Sequence, residues 1–383
     1  MSNPIWDRFC DHATTWFHEP DLHALEILAS NIYAHTHLSD PPAWIFFIGP
    51  SSSGKTKLGI EPFVSVPRAF RVADISSAGF YSVDKSKKIP THHGLLVESG
   101  NPGNAIWLFQ DFTTTLTKDR HDFDAIMAAL REIHDGARTR DIGQVKRVSW
   151  SGKITCHAAC TPALESALAT NRDFGERFLL LRLRSPKDIT GVLRKARQQN
   201  GHAATIDQTS QSLIASLIST PPPCPPITDL SPESESILDA LAILTTKLSI
   251  VGRRNSQHKL IEIGEEAFPG RLIQSVQTVL RGHAMLFNHS TFTESEFHIA
   301  RRLLIDTIPS TRRKILFSVP AGPSGTTVFE ELQRQTGIPP TTLRQELETL
   351  SHANVLINLD GVYFWTPAIN NLIEQSGVIK LNK

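Results

Sequence analysis

Apolar residues along this chain follow two rhythms. Short, near-continuous runs stand at WIFFIG (residues 44–49), IWLFQ (106–110), ITCHAAC (154–160) and FLLLRL (178–183). Between them the apolar spacing lengthens to that of a helix with one buried face. This alternation predicts an α/β core over residues 43–186, a parallel sheet buried on both faces. Residues 1–42 carry helical spacing at Trp6, Phe9, Leu22, Leu25, Leu28 and Ile32. They end at Asp40-Pro41-Pro42, because proline cannot continue a helix and restricts the residue before it. Residues 187–312 read as mostly helical, through Ile237, Leu238, Leu241, Leu244 and then Leu272, Ile273, Val276, Val279, Leu280. The proline-rich stretch Ser219–Pro226 interrupts them as a linker or semi-rigid loop. The last segment, 313–383, has a joint at PAGPSG (320–325), then helix, turn, helix and a short hairpin.

Composition narrows the class. The 383 residues hold 39 basic and 38 acidic side chains, a net charge of +1. Bulk charge therefore draws the chain neither to nucleic acid nor to a membrane, and local patches must supply any such binding. Hydrophobic residues make up 40% and charged residues 20%, the balance of a soluble globular protein rather than a disordered one. The apolar run at 43–48 is far below the ~20 residues of a membrane helix. No basic region followed by an apolar stretch opens the chain, so no secretory signal is expected. Cys10, Cys156, Cys160 and Cys224 form neither a disulfide scaffold nor a paired zinc pattern, which makes a reducing cytoplasm the expected setting. Cys156 and Cys160 are expected to share one buried strand face. The histidines show no metal-binding spacing, and His35, His37, His92 and His93 read as surface residues.

The strongest chemical signal is Gly49-Pro50-Ser51-Ser52-Ser53-Gly54-Lys55-Thr56. It fits G-x-x-x-x-G-K-[ST], follows a strand-like run and precedes a helix-like one, as that motif requires. Gly54 lets the backbone wrap a phosphate, and successive N–H groups cradle the anion. Lys55 would reach the β- and γ-phosphates of ATP, and the Thr56 hydroxyl would hold Mg²⁺. A chance serine-rich turn is the alternative. Pro62 should keep the helix after the loop short.

A second nucleotide element should be an apolar strand ending in an acid. Ile106–Asp111 supplies one, but its end is Gln110-Asp111 where the usual pair is Asp-Glu. Asp111 is then either the metal-side acid, with the base elsewhere (Glu132 or Asp135), or the base, with Gln110 replacing the metal acid. An ordinary strand-end Asp is the third reading.

Together these pieces resemble the AAA+ ATPases, within them the branch of minichromosome-maintenance helicases and magnesium-chelatase-like proteins. Gln110-Asp111-Phe112 is similar to that branch's Asp-Glu-Phe, and Leu130–Gly136 falls where the branch has a helix with a Glu. Arg138–Trp150 resembles the hairpin inserted before sensor 1. In the relatives it lines a ring pore and touches DNA, which would assign Lys146 and Arg147 to nucleic acid rather than to ordinary surface charge. Ile154–Pro162 resembles the sensor-1 strand, with Thr161 where relatives often carry Asn. Phe174–Phe178 resembles the arginine-finger segment, which makes Arg177 the cation offered to a neighbour's γ-phosphate, unless it pairs with Glu176 or a surface acid. Pro269-Gly270-Arg271 and the helix after it resemble the lid with its sensor-2 arginine, Arg271, or a solvated helix-start arginine. The resemblance covers residues 43–312. It implies a P-loop parallel-sheet core, a helical lid, ATP and Mg²⁺ as ligands, and a ring, most simply a hexamer.

The C-terminal segment resembles a winged-helix domain. Thr327–Thr336 and Thr341–Leu350 read as helices about a Gly337–Pro340 turn, and Asn354–Trp365 as a hairpin with an Asp-Gly turn. Leu343, Leu347 and Leu350 would face inward, leaving Thr341, Thr342, Arg344, Gln345 and Glu348 for a major groove. Residues 313–383 hold six basic and six acidic side chains, without the local positive excess of a DNA-binding face. Arg301, Arg302, Arg312, Arg313 and Lys314 would have to add phosphate contacts, or else cap lid helices. The expected function is a Mg-ATP-hydrolysing motor on DNA, a helicase or remodeller, without membrane partners. The alternatives are an ATP-switched regulator and a protein-remodelling ATPase that uses the winged helix as a docking module.

Overall fold

Asn3 starts the first helix, its side-chain oxygen accepting from the Ile5 and Trp6 amides. In the computed structural model, residues 3–84, 91–142, 145–170, 177–322 and 324–378 are described. Contacts divide the chain into two units, Met1–Pro226 with Arg281–Ser290, and Ile227–Leu280 with Thr291–Lys383.

The first unit opens with α1 (Pro4–Trp16) and α2 (Leu22–His37), the latter capped by Asp21. Strand β1 (Trp44–Ile48), buried throughout, leads through the glycine-rich loop into α3 (Lys55–Gly59) and a 3-10 turn at Glu61–Phe63. Next come β2 (Ala69–Val72), the small hairpin β3 (Ser82–Asp84) and β4 (Thr91–His93), α4 (Leu95–Glu98) and β5 (Gly103–Phe109). Helices α5 (Thr113–Leu116) and α6 (Arg120–His134) follow. Strand β6 (Ala137–Ile142) folds back as a hairpin on the long β7 (Val145–Cys160). The unit continues with α7 (Ala163–Thr170), β8 (Phe178–Arg182), α8 (Ile189–Gln198) and α9 (Ala203–Ser219).

Five strands lie parallel in the order β2-β5-β7-β1-β8, and β6 pairs antiparallel with β7 outside that path. The four apolar runs are thus parallel strands, as expected. The edge strand β2 was not legible, because it is short, half-buried and interrupted by Arg71. Trp44, Phe46, Trp107, Cys156, Cys160, Ile126, Leu130 and Phe178 form the core on one sheet face. Each such large side chain contributes about 1.5–3 kcal/mol by leaving water.

On α2, eleven of sixteen residues are buried. Its Asn31 Nδ2 donates to the Ala43 carbonyl at 3.1 Å and lies 3.2 Å from Thr155 Oγ1 and 3.1 Å from His157 Nε2. The N-terminal segment therefore docks on its own sheet. His35 is buried, and His37 packs on Tyr33 with its ring nitrogen 2.8 Å from the Ile218 carbonyl, so neither is the surface residue expected. Helical packing around Tyr33 outweighs the polarity of the ring.

The second unit contains α10 (Pro232–Ser249), the hairpin β9 (Gly252–Arg254) and β10 (Leu260–Ile263), and α11 (Gly270–Leu286), whose last turns belong to the first unit. Then come α12 (Glu294–Thr307) with a Thr293 capping box, α13 (Ser310–Ser318), β11 (Thr327–Val328), α14 (Phe329–Thr336) and α15 (Pro340–His352). Strands β12 (Leu356–Leu359) and β13 (Val362–Trp365) and helix α16 (Pro367–Ser376) complete it. The expected Asp-Gly hairpin is present, with Asp360 at φ +51° and Gly361 at φ +85°, the left-handed pair of a type I′ turn.

The two units differ from the four segments read in the sequence. Residues 3–42 and the helices at 189–219 belong with the sheet. Leu244, Leu248, Ile305 and Ile308 share a core with Leu332, Leu343, Leu347 and Trp365, so 313 is not a domain boundary. The boundary falls at the end of the proline-rich stretch. Among the described residues no helix is long and apolar enough to cross a membrane.

Candidate functional site

Parallel strands end on one edge of a sheet, and here that edge gathers the chemistry. Strand β7 lies between β1 and β5, with Ile48 beside Cys160 and Phe109 beside Ala158. The glycine-rich loop leaves β1, Thr161 follows β7, and Gln110-Asp111 follows β5. Ligand crevices of open α/β sheets form at such carboxyl ends.

The loop holds a tight shape. Gly54 has φ +82° and Ser52 φ +62°, both left-handed. A Cβ on Gly49 would come within 2.8 Å of Ser53 Oγ. The Ser53 hydroxyl is buried with no hydrogen-bond partner among the described residues. Lys55 Nζ curls back to donate to the Gly49 carbonyl at 2.8 Å and the Pro50 carbonyl at 2.6 Å. Burial pulls the Lys55 pKa below its usual value, and the Asp111 charge opposes that. Helix α3 is short, as Pro62 implied. An ion pair between Lys57 and Asp207 of α9, at 2.7 Å, braces it.

Across the edge, Thr56 Oγ1 is 3.4 Å from the main-chain oxygen of Gln110. Asp111 is exposed, and its Oδ1 accepts from the Thr113 amide at 2.9 Å. The Thr113 hydroxyl accepts from the Thr161 amide at 3.1 Å and lies 3.3 Å from Thr161 Oγ1. Thr113 thus ties Asp111 to Thr161. Sequence reasoning passed over it, although an Asp two residues before a Thr was a signal for such a turn.

The other candidates lie elsewhere. Phe178 pairs with Trp44 at the start of β1, which places Arg177 at the opposite edge, about 17 Å of strand from the loop. There Arg177 Nε and Nη2 donate to Asp135 at 3.0 and 2.7 Å. Asp135 belongs to the same far edge, since Gly136, the next residue in the chain, accepts from the Gly152 amide at 3.0 Å, and Gly152 pairs with Gly103 at the start of β5. Glu132, one turn earlier, is 4.0 Å from Arg138. Neither acid reaches the loop of its own chain, which removes both as the alternative base. Lys146 and Arg147 fall on β7, and their side chains lie outside the described residues, as do residues 174–176 of the finger segment.

In the second unit, Arg271 is exposed in the first turn of α11. Leu343, Leu347 and Leu350 of α15 are buried, as expected. Arg344 stacks on the Phe329 ring, 4.9 Å to its centre. Gln345 and Thr342 are half-buried rather than exposed. Arg254 of β9 explains the first, donating to the Gln345 carbonyl at 2.6 Å, to Glu348 at 2.5 Å and to Thr349 at 3.1 Å. The β9–β10 hairpin therefore covers one flank of α15.

Arg301, Arg302 and Arg312 are buried, not held out for phosphate. Arg301 binds the Ser376 carbonyl and Glu294, Arg302 lies near Asp306, and Arg312 binds Glu346 and the Leu248 and Ile250 carbonyls. Arg313 pairs with Asp306 at 2.6 Å. The chain matches no known protein family and no curated protein sequence.

Proposed function

We propose that this chain is a P-loop ATPase of the AAA+ kind, with a C-terminal winged helix, that hydrolyses Mg-ATP in a head-to-tail assembly and acts on DNA. The observation that carries the reading is the meeting of loop, Asp111 and Thr161 at one sheet edge, with Arg177 at the other. A cation on the far edge can serve only the loop of a neighbouring copy, and a ring, most simply a hexamer, supplies that neighbour.

In this reading the amides of residues 49–54 and the partnerless Ser53 hydroxyl receive the phosphates. Lys55 turns from the Gly49 and Pro50 carbonyls to the β- and γ-phosphates. Thr56, beside Gln110, would hold Mg²⁺, which when bound neutralises charge on the β- and γ-oxygens. In this reading Gln110, whose main-chain oxygen lies 3.4 Å from Thr56 Oγ1, takes the metal-side place, and Asp111 is left for water. Asp111, fixed by the Thr113 amide, orients the attacking water and takes its proton as the bond from γ-phosphorus to the bridging oxygen breaks. Thr161 fixes the far side of that water. The β6–β7 hairpin with Lys146 and Arg147 is the element for DNA.

A second reading, an ATP-switched regulator or protein remodeller, is favoured by one observation. The β9–β10 hairpin covers the Gln345 flank of α15, and the neighbouring arginines are engaged within the unit. ATP hydrolysis by size-characterised protein, with and without single- and double-stranded DNA, separates the two. The DNA motor is stimulated by DNA as an assembled species, and the remodeller is indifferent to it. Lys55→Ala should lower hydrolysis by roughly 10²-fold or more under either reading. Unchanged hydrolysis in that variant would end both.

A further inference from the structure

Helix α8 is turned inside out. Ile189, Val192, Leu193 and Ala196 fall at helical spacing on one stripe, which is the pattern of a buried face. Yet Ile189 is 71% exposed, Leu193 54% and Val192 37%. Gly191 is the buried residue of this helix. A Cβ on Gly191 would come within 2.4 Å of the His18 ring. Lys195 donates to the Thr15 carbonyl, and Gln199, just beyond the helix, donates to the Trp16 carbonyl at 2.8 Å. Gly191, Lys195 and Gln199 recur every four residues, so the helix is fastened to the end of α1 by a glycine and polar edge. Its apolar stripe faces away, with Arg197 beside Leu193 along the helix.

The chain carries a patch of opposite character. Between Leu260 and Gly270 stand Glu262, Glu265 and Glu266. Glu262 lies 3.6 Å from Arg253 and Glu266 pairs with Lys247, which leaves Glu265 without an ion pair among the described residues. Ile261 is 56% exposed and Phe268 88%. An apolar stripe beside Arg197 and an apolar segment carrying Glu265 complement each other between copies. Complementary charge steers such contacts and fixes their register.

We infer that the α8 stripe docks on the Ile261–Phe268 segment of a second copy of this chain. Leu193 and Ile189 meet the partner's Phe268 and Ile261, while Arg197 faces the partner's Glu265. Two different patches make the contact heterologous, so it propagates head to tail. The inference rests on the assembly proposed above and gives it a surface.

Mixing full-length Leu193→Cys with full-length Phe268→Cys under mild oxidation tests the contact. The expected result is a covalent dimer on a non-reducing gel, abundant in the mixture and scarce with either variant alone. No adduct in the mixture, or as much from one variant alone, overturns it. Sedimentation gives a second readout. Leu193→Glu should weaken self-association at least about tenfold, and Arg197→Glu should do the same unless mixed with Glu265→Arg. Leu193→Glu protein that assembles with ATP as well as the parent does would overturn the docking surface and leave the ATPase reading standing. A parent chain that stays monomeric at every concentration, with and without ATP, would overturn both the surface and the assembly. Binding of that monomer to anionic phospholipid vesicles, lost in Leu193→Glu, would assign the stripe to a membrane instead.

Discussion

The carboxyl edge of the sheet and the α12–α15 region of the second unit both offer charged side chains suited to an anion, and they differ in what those side chains touch. At the sheet edge, Lys55 leans on two carbonyls of its own loop, and Asp111 is exposed and held by one amide. In the second unit, Arg301 and Arg312 are buried, and each binds a carboxylate together with main-chain carbonyls. A guanidinium away from water must place its N–H groups inside the protein. It then fastens helices and is withdrawn from ligands. Strand ends on one edge leave backbone and short side chains facing outward. Residue type alone does not separate the two outcomes, but position within an element does.

Arg177 is the hardest test of that contrast, because it is a paired arginine to which the proposal gives a ligand. Arg177→Ala should cut hydrolysis by the assembled protein by roughly 10³-fold or more while ATP still binds. Asp135→Asn, which removes the partner and keeps the cation, should leave most of the activity. Equal losses in the two variants, matched by equal losses in melting temperature, would make Arg177 a brace like Arg312. For Arg312 the expectation is stability alone. Arg312→Ala strands Glu346 and two carbonyls, and should destabilise the second unit by about 3–5 kcal/mol in denaturant unfolding. ATP binding at the first unit should persist. If nucleotide binding fell and stability held, the second unit's arginines would have been misassigned.

The fold of the first unit was largely legible because buried parallel strands announce themselves as continuous apolar runs. The bend after β1 was legible because Gly54 takes a left-handed φ that glycine adopts freely, and the short helix after it because Pro62 follows closely. Other features depended on pairing that no local pattern encodes. Thr113 looked like one of three threonines in a row until β7 placed Thr161 beside it. Asp135 looked like a base until the sheet put it at the wrong edge. Arg301, Arg302 and Arg312 formed a basic cluster in the sequence, and only the packing of α10, α12, α15 and α16 showed each to be enclosed. Helix α8 shows the reverse failure, since its spacing signals a buried face that is exposed.

A smaller effect separates the units by pH. Burial pushes His157 down to about 3, helped by His35, and burial with the charges of Lys153 and Arg68 pushes His35 down to about 3. Unfolded, each takes a proton below about 6.5. The unfolded state therefore binds more protons between about 6.5 and 3, and the first unit loses stability as pH falls through that window. Of the six tryptophans, all but Trp365 belong to the first unit, so tryptophan fluorescence reports its unfolding. The midpoint in urea should fall from pH 7 to pH 5, and His157→Leu should flatten that slope. An unchanged midpoint would mean that the buried polar cluster on α2 and β7 accepts protons without opening.

The smallest effect is expected at Arg254. Its side chain is mostly buried, but Glu348 beside it is more open, so Arg254→Ala should cost only about 1 kcal/mol. Its value lies in the direction of any change in DNA affinity. If the β9–β10 hairpin shields the Gln345 flank of α15, loosening it should strengthen binding to duplex DNA, and the second unit would then hold a reader under a cover. If Arg254 is itself a phosphate contact, binding should weaken and become less sensitive to salt, by about one unit of slope. That outcome would break the contrast between the two regions, because an arginine engaged within the unit would also be serving a ligand. Affinity unchanged while DNA still stimulates hydrolysis would leave α15 to a protein partner and the β6–β7 hairpin to the nucleic acid.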